Sequence, residues 1–365
     1  MRILHIVSSL SKSSGVMKFI MSYSEELTKQ DIKFDFLYWV DDEINYKEEI
    51  SRLGGSIFKI AKPSLSKKSY NEVKGFFLNN SKKFESVHLH ELYLNALICP
   101  IAKKNGIKKI ISHAHTTKFS DKRLNALRNR LLCITLNKNS DSIMACSTQA
   151  GQLYFKSRFN KDGVVIPNAI DLKKYTFDKV IRNKYRLELN LDGKFVMCHI
   201  GRFNLQKNHT FLIRIFEEIY KENQNSTLLL VGEGPLRKKI KDSIKNKKYK
   251  NNIQFLGVRE DISSILMASD VFILPSLFEG LGIVLIEAQA TGLSSYYSDN
   301  VPNEVCINSN MTSISLKKSP KVWKRQILND RETNSLRKVS KRLFEEYDIK
   351  NNINLLYSIY TSKTK

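Results

Sequence analysis

Val271-Phe272-Ile273-Leu274-Pro275-Ser276-Leu277-Phe278-Glu279-Gly280-Leu281-Gly282-Ile283-Val284-Leu285-Ile286-Glu287-Ala288 is the stretch that decides the fold class. Four consecutive apolar residues read as a strand buried on both faces, and Pro275 ends it because proline has no N–H for a sheet ladder. A turn carrying Gly280 and Gly282 leads into a second apolar run, which reads as a helix over 282–291. Buried strand, glycine turn and apolar helix together make one unit of a parallel α/β sheet. The open N–H groups and positive dipole end of such a helix suit phosphate oxygens, and the glycines let a ligand approach the backbone. Glu279 precedes the helix and Glu287 lies about one and a half turns inside it, an offset of roughly 8–10 Å from the rise per residue. That separation suits two hydroxyl-bearing parts of one extended ligand better than a metal or a proton-sharing pair. A helix cap plus an exposed glutamate is the plainer reading, but Glu287 stands in an apolar run where an uncompensated carboxylate is costly.

The same unit recurs in both directions. Upstream, strands are expected at Ile3–Val7, Phe34–Trp39, Ser56–Ile60, Ser86–His90, Lys109–Ser112, Ile143–Cys146 and Val164–Ile166, with helices such as Met17–Lys29 and Leu92–Lys104 between them. The pattern then stops at the turn-forming Pro167-Asn168-Ala169-Ile170-Asp171, and the charged stretch up to Gly193 has no strong apolar period. It restarts at Phe195–Ile200 and continues through Thr227–Val231, Ile253–Leu256, Val271–Leu274 and Thr312–Leu316. Two doubly wound parallel-sheet domains of the α/β class are expected, 1–170 and 171–344, facing a cleft at the carboxyl ends of their strands. A final helix, about 345–365, is expected to pack back on the first domain.

Composition sets the outer limits. The 365 residues contain 60 Lys and Arg against 36 Asp and Glu, a net charge of +24, with globular proportions of 42% hydrophobic and 26% charged residues. Disordered and fibrous classes are excluded, and an anionic partner is suggested, though a coding bias toward lysine would produce the same excess. The charge is uneven: residues 51–150 hold 18 basic and 5 acidic side chains. Cys99, Cys133, Cys146, Cys198 and Cys306 form no C-x-x-C pair, so neither a disulfide framework nor a zinc site is indicated and a reducing compartment fits. Met1–Val7 reads as a strand rather than a signal peptide, and no run approaches the length of a membrane span. A cytoplasmic location is expected.

A second constellation, Gly201-Arg202-Phe203-Asn204-Leu205-Gln206-Lys207-Asn208, follows the first strand of the second domain. Arg202 offers a planar fork and Lys207 a point charge, a pairing suited to a diphosphate. For Lys207 alone, a solvated surface side chain is the competing reading. With Val231-Gly232-Glu233-Gly234-Pro235-Leu236, Phe255-Leu256-Gly257, Arg259, Asp261-Ile262, Ala268-Ser269-Asp270-Val271-Phe272 and the Glu279-x₇-Glu287 element, this loop completes an ordered set over about 100 residues. In that set the chain resembles the GT-B-fold retaining glycosyltransferases of family 4, in their bacterial exopolysaccharide and capsule branch.

The resemblance implies a hexose or N-acetylhexosamine moved from a nucleotide sugar, UDP-linked, to a surface glycan or lipid-diphosphate-linked acceptor with retention. Arg202 and Lys207 would hold the donor diphosphate, Glu279 the sugar hydroxyls and Glu287 the ribose. Phosphate would rest on the backbone around Gly280, Leu281, Gly282, Ile283 and Val284, and the base near Gly257–Arg259. In the first domain, Gly15 would approach phosphate and acceptor. His113 and His115 would line the acceptor side, with His115 better aligned as a hydrogen-bonding group beside the transferred sugar. No cofactor and no metal is implied, and no Asp-x-Asp stands at a strand end; two cations and a helix start can supply that electrostatic stabilisation.

The chain departs from relatives at the single Gly15 of the first loop, at Ala169, and at Leu293-Ser294-Ser295 after the paired-glutamate helix. Lys118–Leu132 has Leu124, Leu127 and Leu131 at helical spacing among Lys122, Arg123, Arg128 and Arg130. It reads either as a basic amphipathic helix on the anionic inner membrane face or as a covering helix with leucines toward the sheet. A sugar-nucleotide epimerase of the same fold is the alternative function. A nucleic-acid binder is disfavoured because the basic residues are dispersed and lack a stacking-aromatic motif.

Overall fold

Apolar runs of five or six residues have no face to leave in water, so they assemble as strands covered by helices on both sides. The computed structural model describes residues 1–362 except 121, 281 and 334–336. Its first sheet contains β1 (Arg2–Ile6), β2 (Lys33–Tyr38), β3 (Ile57–Lys59), β4 (Ser86–Leu89), β5 (Lys109–Ala114), β6 (Ser142–Ala145) and β7 (Val164–Val165), in the order β3-β2-β1-β4-β5-β6-β7. The second contains β8 (Phe195–Ile200), β9 (Ser226–Val231), β10 (Ile253–Gly257), β11 (Val271–Leu274), β12 (Ser294–Ser298) and β13 (Met311–Ile314), ordered β10-β9-β8-β11-β12-β13. The pairings in both sheets are parallel. Each order reverses direction beside its first strand, which gives each sheet a switch point where post-strand loops diverge.

The chain divides into two compact units, 1–169 with 349–365, and 170–348. The first unit's core includes Phe19, Tyr23, Phe34, Phe36 and Ile111, together with Ile349, Ile353, Leu356, Ile359 and Tyr360 from the last helix, Ile349–Thr361. The second is built on Phe203, Phe216, Leu228, Ile273, Tyr296 and Trp323. Among the described residues no disulfide joins the cysteines.

Four local readings are corrected. Strand β12 was not among the expected strands because its sequence is Ser-Ser-Tyr-Tyr-Ser, yet all five residues are buried. Two of its serine hydroxyls are satisfied internally, Ser295 Oγ donating to Leu293 O at 2.9 Å and Ser298 Oγ to Ser276 O. The charged stretch before Gly193 contains a helix, Lys179–Glu188, that buries no residue. Arg182 and Arg186 fasten it, bonding Asp270 and the carbonyls of Met267, Ala268 and Ser269. The terminal helical segment is two helices, Lys341–Tyr347 and Ile349–Thr361, broken at Asp348. Finally, the leucines of the basic helix Arg123–Leu132 do not face the sheet: Leu124 is 83% exposed, Leu127 60% and Leu131 59%. Its buried residue is Asn129, whose amide donates to Phe119 O at 2.8 Å.

Candidate active site

Three loops are stitched together at the carboxyl edge of the second sheet. Gly201 N, just beyond β8, donates to Val231 O at 2.9 Å, and Gly232 N donates to Gly257 O at 2.7 Å. Phe203 N donates to Glu233 O and Leu236 N to Phe203 O, each at 2.9 Å. The approach is close enough that a Cβ on Gly232 would stand 2.3 Å from Gly201 O, at a φ of +130°. Only glycine fits there.

This edge presents a buried carboxylate in a two-armed grip. Lys207 Nζ lies 2.7 Å from Glu279 Oε1, and Gln206 Nε2 donates to Glu279 Oε2 at 3.1 Å. Gln206 also anchors the segment through Phe278 O at 3.1 Å and by accepting from Leu277 N at 2.8 Å. Glu279 is only 4% exposed, and a charge that deep needs the cation and donors it has. Lys207 N in turn donates to Asn204 Oδ1 at 3.2 Å, and Asn208, at φ +52°, turns the chain into the helix His209–Glu222. Arg202 differs: it is exposed and has no ion pair among the described residues.

Glu279 sits just ahead of the helix Ile283–Ala290, all of whose residues are buried. Gly282 caps it from the left-handed region at φ +82° and supplies no side-chain acceptor. The N–H groups at its start, Ile283 and Val284 among them, therefore lack a capping side chain. Gly280 is buried beside this turn, and Leu281 lies outside the described residues. Glu287, 3% exposed, accepts from the Tyr175 hydroxyl at 3.0 Å on Oε1. Gly257, at φ +69°, closes the irregular end of β10. Arg259 is held by Asp261, Nε donating to Oδ1 at 2.8 Å, and that bond lowers the carboxyl's pKa.

In the first unit, Gly15 opens the helix Gly15–Thr28, and Ser14 caps it by accepting from Met17 N. His113 and His115 lie at and just past the end of β5, on the same side, with ring centroids 3.9 Å apart. They do not stand alone. His5 from β1 and His88 and His90 from the end of β4 join them. Tyr360 contributes its hydroxyl from the last helix. His5 Nδ1 lies 2.9 Å from His90 Nε2, and His90 Nδ1 lies 2.7 Å from His115 Nε2. His88 Nδ1 lies 2.8 Å from the Tyr360 hydroxyl, and His88 Nε2 lies 3.3 Å from His113 Nδ1. Burial drives all five imidazoles toward the neutral form, pulling His5 and His115 down to about 3 and the other three well below their usual value. Two triads, His5-His88-His90 and His90-His113-His115, have ligand nitrogens within 4.8 Å of one another.

Residues 181–328, which contain the gripped carboxylate and the stitched loops, match the profile of the family described as Glycosyl transferases group 1. The chain carries a group 1 glycosyltransferase domain. The Bacillus subtilis protein EpsF, named as a glycosyltransferase, is 28% identical over all of this chain and 97% of its own length. The capsular polysaccharide biosynthesis glycosyltransferase CapH of Staphylococcus aureus is 25% identical over 100% of this chain and 99% of its own. An Escherichia coli enzyme named UDP-Gal:alpha-D-GlcNAc-diphosphoundecaprenol alpha-1,3-galactosyltransferase is 28% identical over 68% of this chain and 66% of its own. Among solved structures, Anabaena HepE in complex with UDP and glucose superposes with a TM-score of 0.83, covering 99% of this chain and 100% of that one at 16% identity. The fold is that of the GT-B glycosyltransferases.

The sequence reading left out side chains that the structure places beside the expected residues, Gln206 and Tyr175 in the second unit and His5, His88, His90 and Tyr360 in the first. Gln206 stood inside the quoted loop, but its partner is 73 positions away. Tyr175 is 112 positions from Glu287 and carries no local signal. His5, His88 and His90 did leave a trace: His88-Leu89-His90 repeats the spacing of His113-Ala114-His115, and both sit at strand ends in one sheet.

Proposed function

We propose that the protein moves a hexose or N-acetylhexosamine from a UDP-sugar to a surface-glycan or lipid-diphosphate-linked acceptor, with retained anomeric configuration and without a metal. The observation that carries this reading is the buried Glu279, gripped by Lys207 and Gln206 at the start of a helix with no side-chain cap. A carboxylate held there accepts hydrogen bonds from sugar hydroxyls, while helix N–H groups at Ile283 and Val284 and the exposed Arg202 meet the diphosphate. Lys207 has three donors, so its bond to Glu279 leaves two for a phosphate oxygen. Charge building on the departing nucleoside diphosphate is thereby stabilised by groups already in place, the part a divalent ion plays elsewhere. Glu287, oriented by Tyr175, receives the ribose, and the turn at Gly257 the base, with Arg259 bracing that turn through Asp261. Gly15, His113 and His115 serve the acceptor side.

The UDP in the HepE complexes and the diphosphoundecaprenol in the E. coli relative's name support a nucleotide-sugar donor and a lipid-linked acceptor. The exposed leucines among Lys122, Arg123, Arg128 and Arg130 support docking on an anionic membrane face, where such an acceptor resides. No helix among the described residues is long and apolar enough to cross a membrane. The deciding experiment is calorimetry with UDP-, GDP- and ADP-sugars followed by assay of acceptor-dependent nucleotide release in EDTA. Release of UDP at an undiminished rate is expected. Interconversion of the sugar without release would instead identify an epimerase, and a rate restored only by metal would remove the metal-free mechanism.

A further inference from the structure

The five histidines form rows. His5 and His90 have centroids 5.2 Å apart and planes within 14°, with facing nitrogens at 2.9 Å, so they meet edge to edge. His90 and His115 continue the line, centroids 4.9 Å apart and nitrogens at 2.7 Å. A second row, Tyr360-His88-His113, stacks against the first, with His88 over His90 at 4.2 Å. Nitrogens that face one another in pairs along a line do not converge on one point, which sets this arrangement apart from a metal site despite its ligand types.

Proton counting then fixes a direction. Three neutral imidazoles carry three N–H groups, and the two bonds of the first row use two of them. The third must project from one end, either His5 Nε2 or His115 Nδ1. His5 Nε2 is buried with no hydrogen-bond partner, and its ring packs against Phe34 and Phe36. His115 is only partly buried, and no described group bonds its Nδ1. A buried N–H without an acceptor is the rarer and costlier arrangement, so the proton belongs at the other end. His5 Nδ1–H then donates to His90 Nε2, His90 Nδ1–H donates to His115 Nε2, and His115 presents Nδ1–H outward.

We propose that His5 and His90 are positioning residues whose hydrogen-bonded row holds His115 as an outward Nδ1–H donor, directed at an oxygen of the bound substrate. The inference rests on the glycosyltransferase reading only for the identity of that oxygen. A phosphate oxygen can only accept, so an obligate donor recognises it and an obligate acceptor would repel it.

The test is nitrogen NMR of the full chain labelled at histidine, at pH 7.5, with the His115 resonances assigned by their loss in His115→Gln. A protonated Nδ1 and a bare Nε2 at His115 are expected. The reverse tautomer, an imidazolium, or a zinc ion retained stoichiometrically through dialysis against EDTA would each overturn the row. In His5→Gln the amide offers either a donor or an acceptor to His90, so the direction is released. His115 should become a mixture of tautomers, and kcat should fall about tenfold while the donor KM holds. An unchanged His115 spectrum in that variant removes His5 from the mechanism; if the variant does not fold, the wild-type spectrum still decides. Nδ1–H in a protein that turns over no nucleotide sugar would count against the function and leave the row standing, whereas an active enzyme with the reverse tautomer would do the opposite.

Discussion

Arg202 and Lys207 lie five positions apart in one loop, yet the structure gives them different burdens. Lys207 compensates a carboxylate that is almost wholly buried, so Lys207→Ala takes the cation from Glu279. Breaking a buried pair from one side costs about 3–5 kcal/mol, and Lys207→Ala should lose stability on that scale in urea titration as well as activity. Arg202 is exposed and has no ion pair among the described residues, so Arg202→Ala should stay within about 0.5 kcal/mol of wild type. Its loss should appear in turnover alone, by about a hundredfold or more, as expected for a charge-stabilising donor. Equal destabilisation of both variants would refute this division of labour. The sequence put both cations at the right sheet edge from the order of strand, glycine and loop. It could not say which one was committed, because that depends on where a glutamate 72 positions downstream folds back.

Elements were legible where their physics is local and obscure where it is borrowed. Strands β8 and β11 have the bounds expected, since a continuous apolar run between turn signals needs no outside information. Strand β12 and the helix Lys179–Glu188 escaped because one takes a hydroxyl partner, Ser276 O for Ser298, and the other its arginine anchors, from carbonyls distant in sequence. The helix Arg123–Leu132 was ambiguous for a related reason: apolar periodicity shows that one face differs, without saying whether protein or lipid covers it. Its leucines are open, and inserting such side chains in an interface gains up to about 1.5–3 kcal/mol each. Leu124→Glu with Leu127→Glu should therefore lower partitioning to vesicles containing anionic lipid by at least about tenfold in a flotation assay, with the thermal midpoint unchanged. Equal binding of wild type and double variant would remove this helix as the contact. The stitched loops make an opposite prediction. Gly232→Ala forces a Cβ to 2.3 Å from Gly201 O, so nucleotide binding by calorimetry and the folded yield should both drop sharply. Gly15→Ala, with nothing within 4 Å, should leave the yield intact.

Across the molecule, all seven histidines sit where burial lowers their pKa, and they are divided five to two between the units. His199 is pulled to about 3 and His209 to about 2 in the second unit, mainly by burial. An unfolded imidazole titrates near 6.5, so between that value and about 3 the unfolded chain binds the extra protons. Stability from these groups is complete above about pH 7 and is lost as the pH falls through that window, at up to about 1.4 kcal/mol per pH unit for each histidine. The first unit, with five such groups, should lose stability more steeply than the second and unfold at a higher pH. The chain carries two tryptophans, Trp39 in the first unit and Trp323 in the second, both buried. Trp323→Phe therefore leaves a reporter in the first unit alone, and Trp39→Phe leaves one in the second. On acid titration the Trp39 signal should shift to that of solvated indole about half a pH unit or more before the Trp323 signal, both within the window set by the buried imidazoles. The opposite order, or native fluorescence from Trp39 persisting to pH 3, would mean that the histidine rows are already charged in the folded protein.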